Sequence, residues 1–231
     1  SGETQIRVGV IEYDDAAAAC DAGVEFLHVC LRDLDRQYHD VGGAGLTYGH
    51  GAPLDVLSRF VDAGWDAVAT ASPSGRYGRR RDERARERLG VDFVAGDGLV
   101  RDADRPREDW SDRVESWFAA DPFDWDPRSV AVERVETAID PDRASDAYDV
   151  APTKTRVPTG GRGPARDRLR AFAEAIGEYP GSISSPLDAR EGTSGLSAYL
   201  RFGCLSVREV HQYVDANSSG RGREMFISRL Y

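Results

Sequence analysis

Apolar and polar positions alternate between two periods in the first hundred residues. Arg7–Tyr13 (RVGVIEY) is rich in β-branched residues and reads as a strand. Val24, Leu27, Leu31, Leu34 and Tyr38 then step by three and four, which places them on one helix face. Gly45–Tyr48 follows a glycine-rich turn and predicts a short strand. Pro53 stands at a good first helical position, and Leu54, Leu57 and Val61 continue one face. Asp66–Thr70 (DAVAT) predicts another strand, Tyr77–Leu89 a highly charged helix closed by Gly90, and Val91–Ala95 the next strand. Strands separated by helices imply right-handed crossovers and a parallel sheet with helices on its faces, an α/β Rossmann-like arrangement.

The pattern changes after residue 100. Residues 101–165 hold Pro106, Pro122, Pro127, Pro141, Pro152, Pro158 and Pro164, and fifteen acidic residues precede position 151. This reads as a long connection with one short helix near Trp110–Ala120 and a flexible TGGRGP at Thr159–Pro164. Helical spacing then returns. Leu169, Phe172, Ala173 and Ile176 share a face, and Leu196–Phe202 predicts a short helix closed by Gly203. Ser206 and Glu209 form an S-x-x-E box ahead of a helix through Val207, Val210 and Val214. The expected organisation is an α/β domain over 1–125, a linker over 126–165, and the start of an all-helical domain over 166–231.

Charge sharpens the division. The 231 residues carry 30 basic and 40 acidic groups, net −10, and Lys154 is the single lysine. Residues 1–153 are net −14 and residues 154–231 net +4, an asymmetry that points to a polyanionic partner. Aspartate outnumbers glutamate 26 to 14. Short acidic side chains with almost no lysine suit a cytoplasm of concentrated salt, where self-repulsion is screened within a few ångström. A GC-rich genome explains the arginine but not the aspartate excess. No segment approaches the ~20 apolar residues of a membrane helix, and no signal segment opens the chain. It opens on Ser1, and its one methionine is Met225, so a processed or cut chain is expected. Cys20, Cys30 and Cys204 lack metal or disulfide spacing, and His28, His39, His50 and His211 are scattered.

The stretch with most chemistry is Gly192–Val210, GTSGLSAYLRFGCLSVREV. Thr193, Ser194 and Ser197 put three hydroxyls at a helix start, where free backbone amides favour an anion such as phosphate. Gly192 and Gly195 leave room for a ligand against the backbone. Plain capping by Thr and Ser is the competing reading of these residue types.

In order and content this stretch resembles the flavin-binding signature of the photolyase/cryptochrome family: TS-x-LS, a Tyr-Leu-(Arg/Lys)-Phe-Gly run, and a Leu-Ser-x-Arg-Glu-like segment. Gly23–Tyr48 followed by Gly51–Ala71, and Tyr77–Gly98, resemble other parts of that family more weakly, and Phe226–Tyr231 (FISRLY) resembles the run that precedes a Trp-Arg pair in it. The resemblance implies an N-terminal α/β domain that often holds an antenna pigment of folate or deazaflavin type, and a helical domain that binds FAD. It implies that Thr193, Ser194, Gly195, Leu196 and Ser197 wrap the FAD phosphates and that Tyr179 touches the flavin nucleotide. Gly195 stands where Arg or Gln is common, so only its backbone contributes. The implied activity is light-driven splitting of pyrimidine dimers in DNA, a carbon–carbon lyase reaction, by a cytoplasmic protein of haloarchaeal type. A cryptochrome-like photoreceptor without repair, or a non-catalytic α/β module that binds a nucleotide or antenna, are the other readings. By the same resemblance both ends lie inside the family's length. The expectation is then that this chain alone binds FAD poorly or not at all and leaves the Val207/Val210/Val214 stripe exposed.

Three further features invite a function. Arg76, Arg79–Arg81, Arg84, Arg86 and Arg88 make a dense basic helix, either a phosphate-backbone patch or a solvated face with ion pairs to Asp82, Glu83 and Glu87; the second is the commoner arrangement. Trp110, Trp117 and Trp125 are expected to dock the connection onto the α/β domain. Gly42, Gly43 and Gly45 form no dinucleotide fingerprint. No Ser-His-Asp order or carboxylate pair stands out.

Overall fold

The structure is a computed structural model that describes residues 4–6, 8–11, 21–41, 44–70, 76–94, 109–121, 131–133, 135, 139–147, 157–181 and 192–230. Its chain divides into two compact units. The first takes residues 1–99 and 125–159, the second 100–124 and 160–231. The chain therefore leaves the first unit, contributes to the second and returns. Most of the stretch expected as linker belongs to the first unit.

The first unit contains β1 (Thr4–Ile6), β2 (Val8–Ile11), α1 (Asp21–Asp40), β3 (Thr47–His50), α2 (Pro53–Asp62), β4 (Val68–Thr70), α3 (Arg76–Leu89), β5 (Asp92–Val94), β6 (Ala131–Glu133) and α5 (Pro141–Ala147). The strands pair as β1–β6, β2–β3 and β4–β5, all parallel, as the strand–helix alternation requires. Strands β1 and β6 were not expected from the sequence; each is three residues long, too short to show a period. Gly49 lets α2 close onto β3: a Cβ there would overlap Val56 Cγ1. At the entry to β3, the Leu46 amide donates to Asp35 Oδ1 of α1 at 2.6 Å.

Helix α1 runs where the periodicity puts it, but its deepest positions differ. Ala22, Phe26, His28 and Cys30 are buried, whereas Leu34 is 40% exposed. Leu31 and Tyr38, from the expected face, pack with Ile139 against Leu46, Tyr48 and Ala144. The added contact comes from α5, which docks on α1. There His28 Nδ1 lies 2.6 Å from Ser145 Oγ, and that hydroxyl donates to the Pro141 carbonyl at 2.9 Å. With the serine proton already committed, His28 must carry hydrogen on Nδ1. Arg32 and Asp142 add an exposed ion pair between the same helices.

The second unit contains α4 (Trp110–Ala119), α6 (Arg162–Ala175), a 3-10 turn (Ile176–Glu178), α7 (Ser197–Arg201), α8 (Val207–Asn217) and α9 (Gly220–Ile227). Ser206 caps α8 by accepting the Glu209 amide at 3.0 Å, as the S-x-x-E box predicts. Val210 and Val214 are wholly buried, which corrects the expectation of an exposed valine stripe. The cover is α4 on one side and α6 on another. Helix α4 is held by Gln212, whose amide donates to the Phe118 and Ala120 carbonyls at 2.8 and 3.0 Å. His211 stacks on Phe118 with ring centroids 4.0 Å apart, and the Arg208 guanidinium sits 4.2 Å over the Trp117 ring. Trp117 thus anchors its helix in the helical unit, not on the α/β unit as expected. Trp110 is 37% exposed, and Trp125 lies outside the described residues.

Burial lowers the His28 pKa from its ordinary 6.5, with the Arg32 charge adding to the effect and Glu25 and Asp142 opposing it. The folded state therefore resists a proton that the unfolded chain accepts. The stability of the first unit is expected to be full above pH 6.5 and to fall as the pH drops below it. Urea midpoints measured down from neutral pH check this; His28→Gln, which keeps a donor for Ser145, is expected to flatten the slope.

Candidate functional site

The TSGLS segment lies between α6 and α7, and one side chain of α6 determines its course. Arg168 Nε donates to the Ser194 carbonyl at 2.7 Å and Nη2 to the Thr193 carbonyl at 2.9 Å. Two consecutive carbonyls held by one guanidinium force a sharp bend. The bend continues at Gly195, with φ +64°, a conformation that costs a side-chain-bearing residue about 1–2 kcal/mol. A Cβ there would also stand 2.9 Å from Arg168 Nε, so the glycine answers both to backbone and to space. Leu196 follows and is 1% exposed; beside the buried Tyr199 it pins the start of α7 into the core.

The hydroxyls face no such demand. Among the described residues, Thr193 and Ser197 make no side-chain hydrogen bond, and Ser194 Oγ only accepts a long one, 3.4 Å, from the Leu196 amide. All three remain able to donate. Below the bend, Arg162 grips both Glu209 carboxylate oxygens at 3.0 Å and the Cys204 carbonyl at 3.0 Å, while Arg166 reaches Glu209 at 3.2 Å. A bidentate guanidinium is the strong form of such a pair. It locks α6 to α8 and fixes the platform from which Arg168 reaches.

Tyr179 packs into an aromatic cluster between α6 and α9. Its ring meets Phe172 and Phe226 edge-on at 5.6 Å, and Arg229 lies 5.7 Å over it. Helix α9 comes so close here that a Cβ on Gly222 would overlap the Ile176 carbonyl and stand 3.2 Å from that of Tyr179. Two residues on, Gly181 backs onto Gly192, with an added Cβ 3.2 Å from the Gly192 Cα. The backbone two residues after Tyr179 therefore runs beside the backbone one residue before Thr193. The sequence singled out Tyr179 and Thr193 but missed Arg168 and the Gly181–Gly192 contact; a lone arginine on a helix carries no signal of what it holds.

In the first unit a cavity of about 550 Å³ opens beside β3, walled by Tyr48, Val56, Phe60, Trp65 and Ile139, with Arg59 and His50 as its cationic or titratable members. Its volume is within the range of small-ligand sites. Helix α3 carries the arginine run. Arg81 pairs with the buried Asp82 at 3.5 Å, but no ion pair reaches Glu83 or Glu87 among the described residues. The described residues bring together no cluster of three metal-ligating side chains and include no helix long and apolar enough to cross a membrane.

Arg168→Met removes two charge-assisted hydrogen bonds while keeping much of the side-chain bulk. Denaturant unfolding of the second unit is expected to show a loss of about 2–3 kcal/mol. Gly195→Ala is expected to cost about 1–2 kcal/mol from backbone strain and to displace Arg168.

Residues 8–103 match the DNA photolyase family model. No curated protein matches the chain. Among solved structures, a class III photolyase from Agrobacterium tumefaciens is similar at a TM-score of 0.73 and 19% identity, over 99% of this chain and 52% of that one. An archaeal photolyase from Sulfolobus tokodaii, a structure with two FAD molecules, is similar at 0.68 and 19% identity, over 98% of this chain and 50% of that one. The chain spans about half the length of these two photolyases. Residues 8–103 are thus similar to a DNA photolyase domain, and the backbone fold along nearly the whole chain is similar to that of these two photolyases.

Proposed function

We propose that the second unit binds the phosphates of FAD at Thr193, Ser194, Gly195, Leu196 and Ser197, with Tyr179 against the nucleotide, in a light-driven enzyme that repairs pyrimidine dimers in DNA. The observation that carries this reading is the bend held by Arg168. It spends the carbonyls of Thr193 and Ser194 on the protein and leaves three hydroxyls free to donate. Three hydroxyls left free to donate on one loop suit a phosphate chemically. Arg168 then has a double use: it shapes the loop, and its charge stands behind an anion. When bound, the flavin supplies light-driven electron transfer; this chain's residues bind and orient it. A cryptochrome-like receptor would need the same loop, so dimer repair is the measurement that separates the two.

The cavity beside β3 is proposed as the seat of an antenna pigment. Folate and deazaflavin types combine a flat ring with an anionic tail. Phe60, Trp65 and Tyr48 offer the ring apolar contact, and Arg59 offers the tail a counter-charge.

The test is an absorption spectrum of the purified chain in concentrated salt with and without FAD. Binding by this chain alone is expected to be weak, with a structured flavin band only at high FAD concentration, and removing two hydroxyls with Thr193→Val and Ser194→Ala is expected to weaken it about tenfold further. Equal binding by the double variant overturns the assignment of the loop. Repair of dimer-containing DNA under light by flavin-loaded protein supports the enzyme over the receptor. Absence of repair with flavin bound favours the receptor.

A further inference from the structure

Helix α3 holds seven arginines against three acids, a local charge of +4 on a chain of net −10. The structure sorts these arginines. Arg81 is held by buried Asp82, and Arg86 covers the Phe93 ring at 5.0 Å. The other five, Arg76, Arg79, Arg80, Arg84 and Arg88, are exposed and make no hydrogen bond, ion pair or ring contact among the described residues. Asp82, Ala85 and Leu89 form the inner side of the helix, with Ala85 3% exposed. Arg80, Arg84 and Arg88 fall one turn apart on the opposite side, a row with a rise of about 6 Å between guanidinium stems.

From this row we infer a nucleic-acid contact that reads the phosphate backbone, independent of any lesion and separate from the loop in the second unit. A regular file of guanidinium groups matches the repeating anions of a nucleic-acid strand and can grip each one bidentately. The described exposed positions beside the row, Arg79, Glu83 and Glu87, are all charged, which suits a hydrated polyanion better than a lipid surface. An acidic peptide would not call for even spacing. The chain's net negative charge repels a polyanion at long range, so an attractive contact has to be this local and this dense. The inference rests on the photolyase-type reading only in taking DNA as the partner; it requires no bound flavin.

The experiment uses the full 231-residue chain and a fluorescently labelled, undamaged DNA duplex, with binding followed by anisotropy across a KCl series in which circular dichroism shows the fold intact. Arg80→Ser/Arg84→Ser/Arg88→Ser is expected to reduce the slope of log affinity against log salt by about 2–3, and the corresponding triple lysine variant to keep it within about 1 of wild type. A serine variant with the wild-type slope overturns the inference, as does a wild-type chain that fails to bind the duplex. Wild-type binding that is no tighter to duplex than to poly-glutamate or to anionic phosphatidylserine vesicles overturns the choice of nucleic acid. Flavin binding with an unchanged slope removes this inference alone. A reduced slope without flavin binding removes the cofactor reading alone.

Discussion

The grip of Arg168 on the carbonyls of Thr193 and Ser194 is the constraint on which the helical unit's loop depends. A guanidinium has donors and no acceptor, so it can satisfy carbonyls without competing for the hydroxyls beside them. That asymmetry decides what the loop exposes. Had the clamp been an Asn or Gln, its own carbonyl would have accepted from a threonine or serine hydroxyl, and fewer donors would remain. The clamp is itself set by the Arg162–Glu209 pair two turns earlier on the same helix.

Arginine serves as a fastener elsewhere in this unit too. Arg208 lies over Trp117, and Arg229 over Tyr179. A cation that is weakly hydrated and stacks on rings works where salt screens ordinary surface pairs. The near-absence of lysine, which reads in the sequence as a solvent adaptation, thus has a second consequence inside the fold. The interweaving of the chain adds to this. Helix α4 departs from between two segments of the α/β unit to cover Val210 and Val214, so the apolar side of α8 is shielded from within these 231 residues.

Much of the α/β unit was legible because its elements are long or well punctuated. Helix α3 ends at Gly90 and α2 begins at Pro53, where glycine and proline chemistry leave little choice. The cap at Ser206 and the helix at Trp110 were readable for similar reasons. Two features were not. The docking of α5 on α1 depends on His28 meeting Ser145 across 117 positions, and no local pattern records a long-range pair. The fate of the tryptophans depended on which unit α4 joins, and amphipathic spacing shows a face without naming its partner. In the candidate site the hydroxyls and Gly195 were visible as residue types, while the arginine that makes a loop of them was not.

The ribbon of β4 and β5 places Val68 and Val94 at 68% and 53% exposure on a pair only three residues long. Two short parallel strands with bare valines are adhesive, and what keeps such a surface apart from its copies is mutual charge repulsion. Concentrated salt screens that repulsion, and strongly hydrated salts strengthen apolar contact besides. The two solvent-dependent forces on this chain therefore pull in opposite directions as salt rises: repulsion among its forty acidic groups weakens, while the tendency of the exposed valines to avoid water grows.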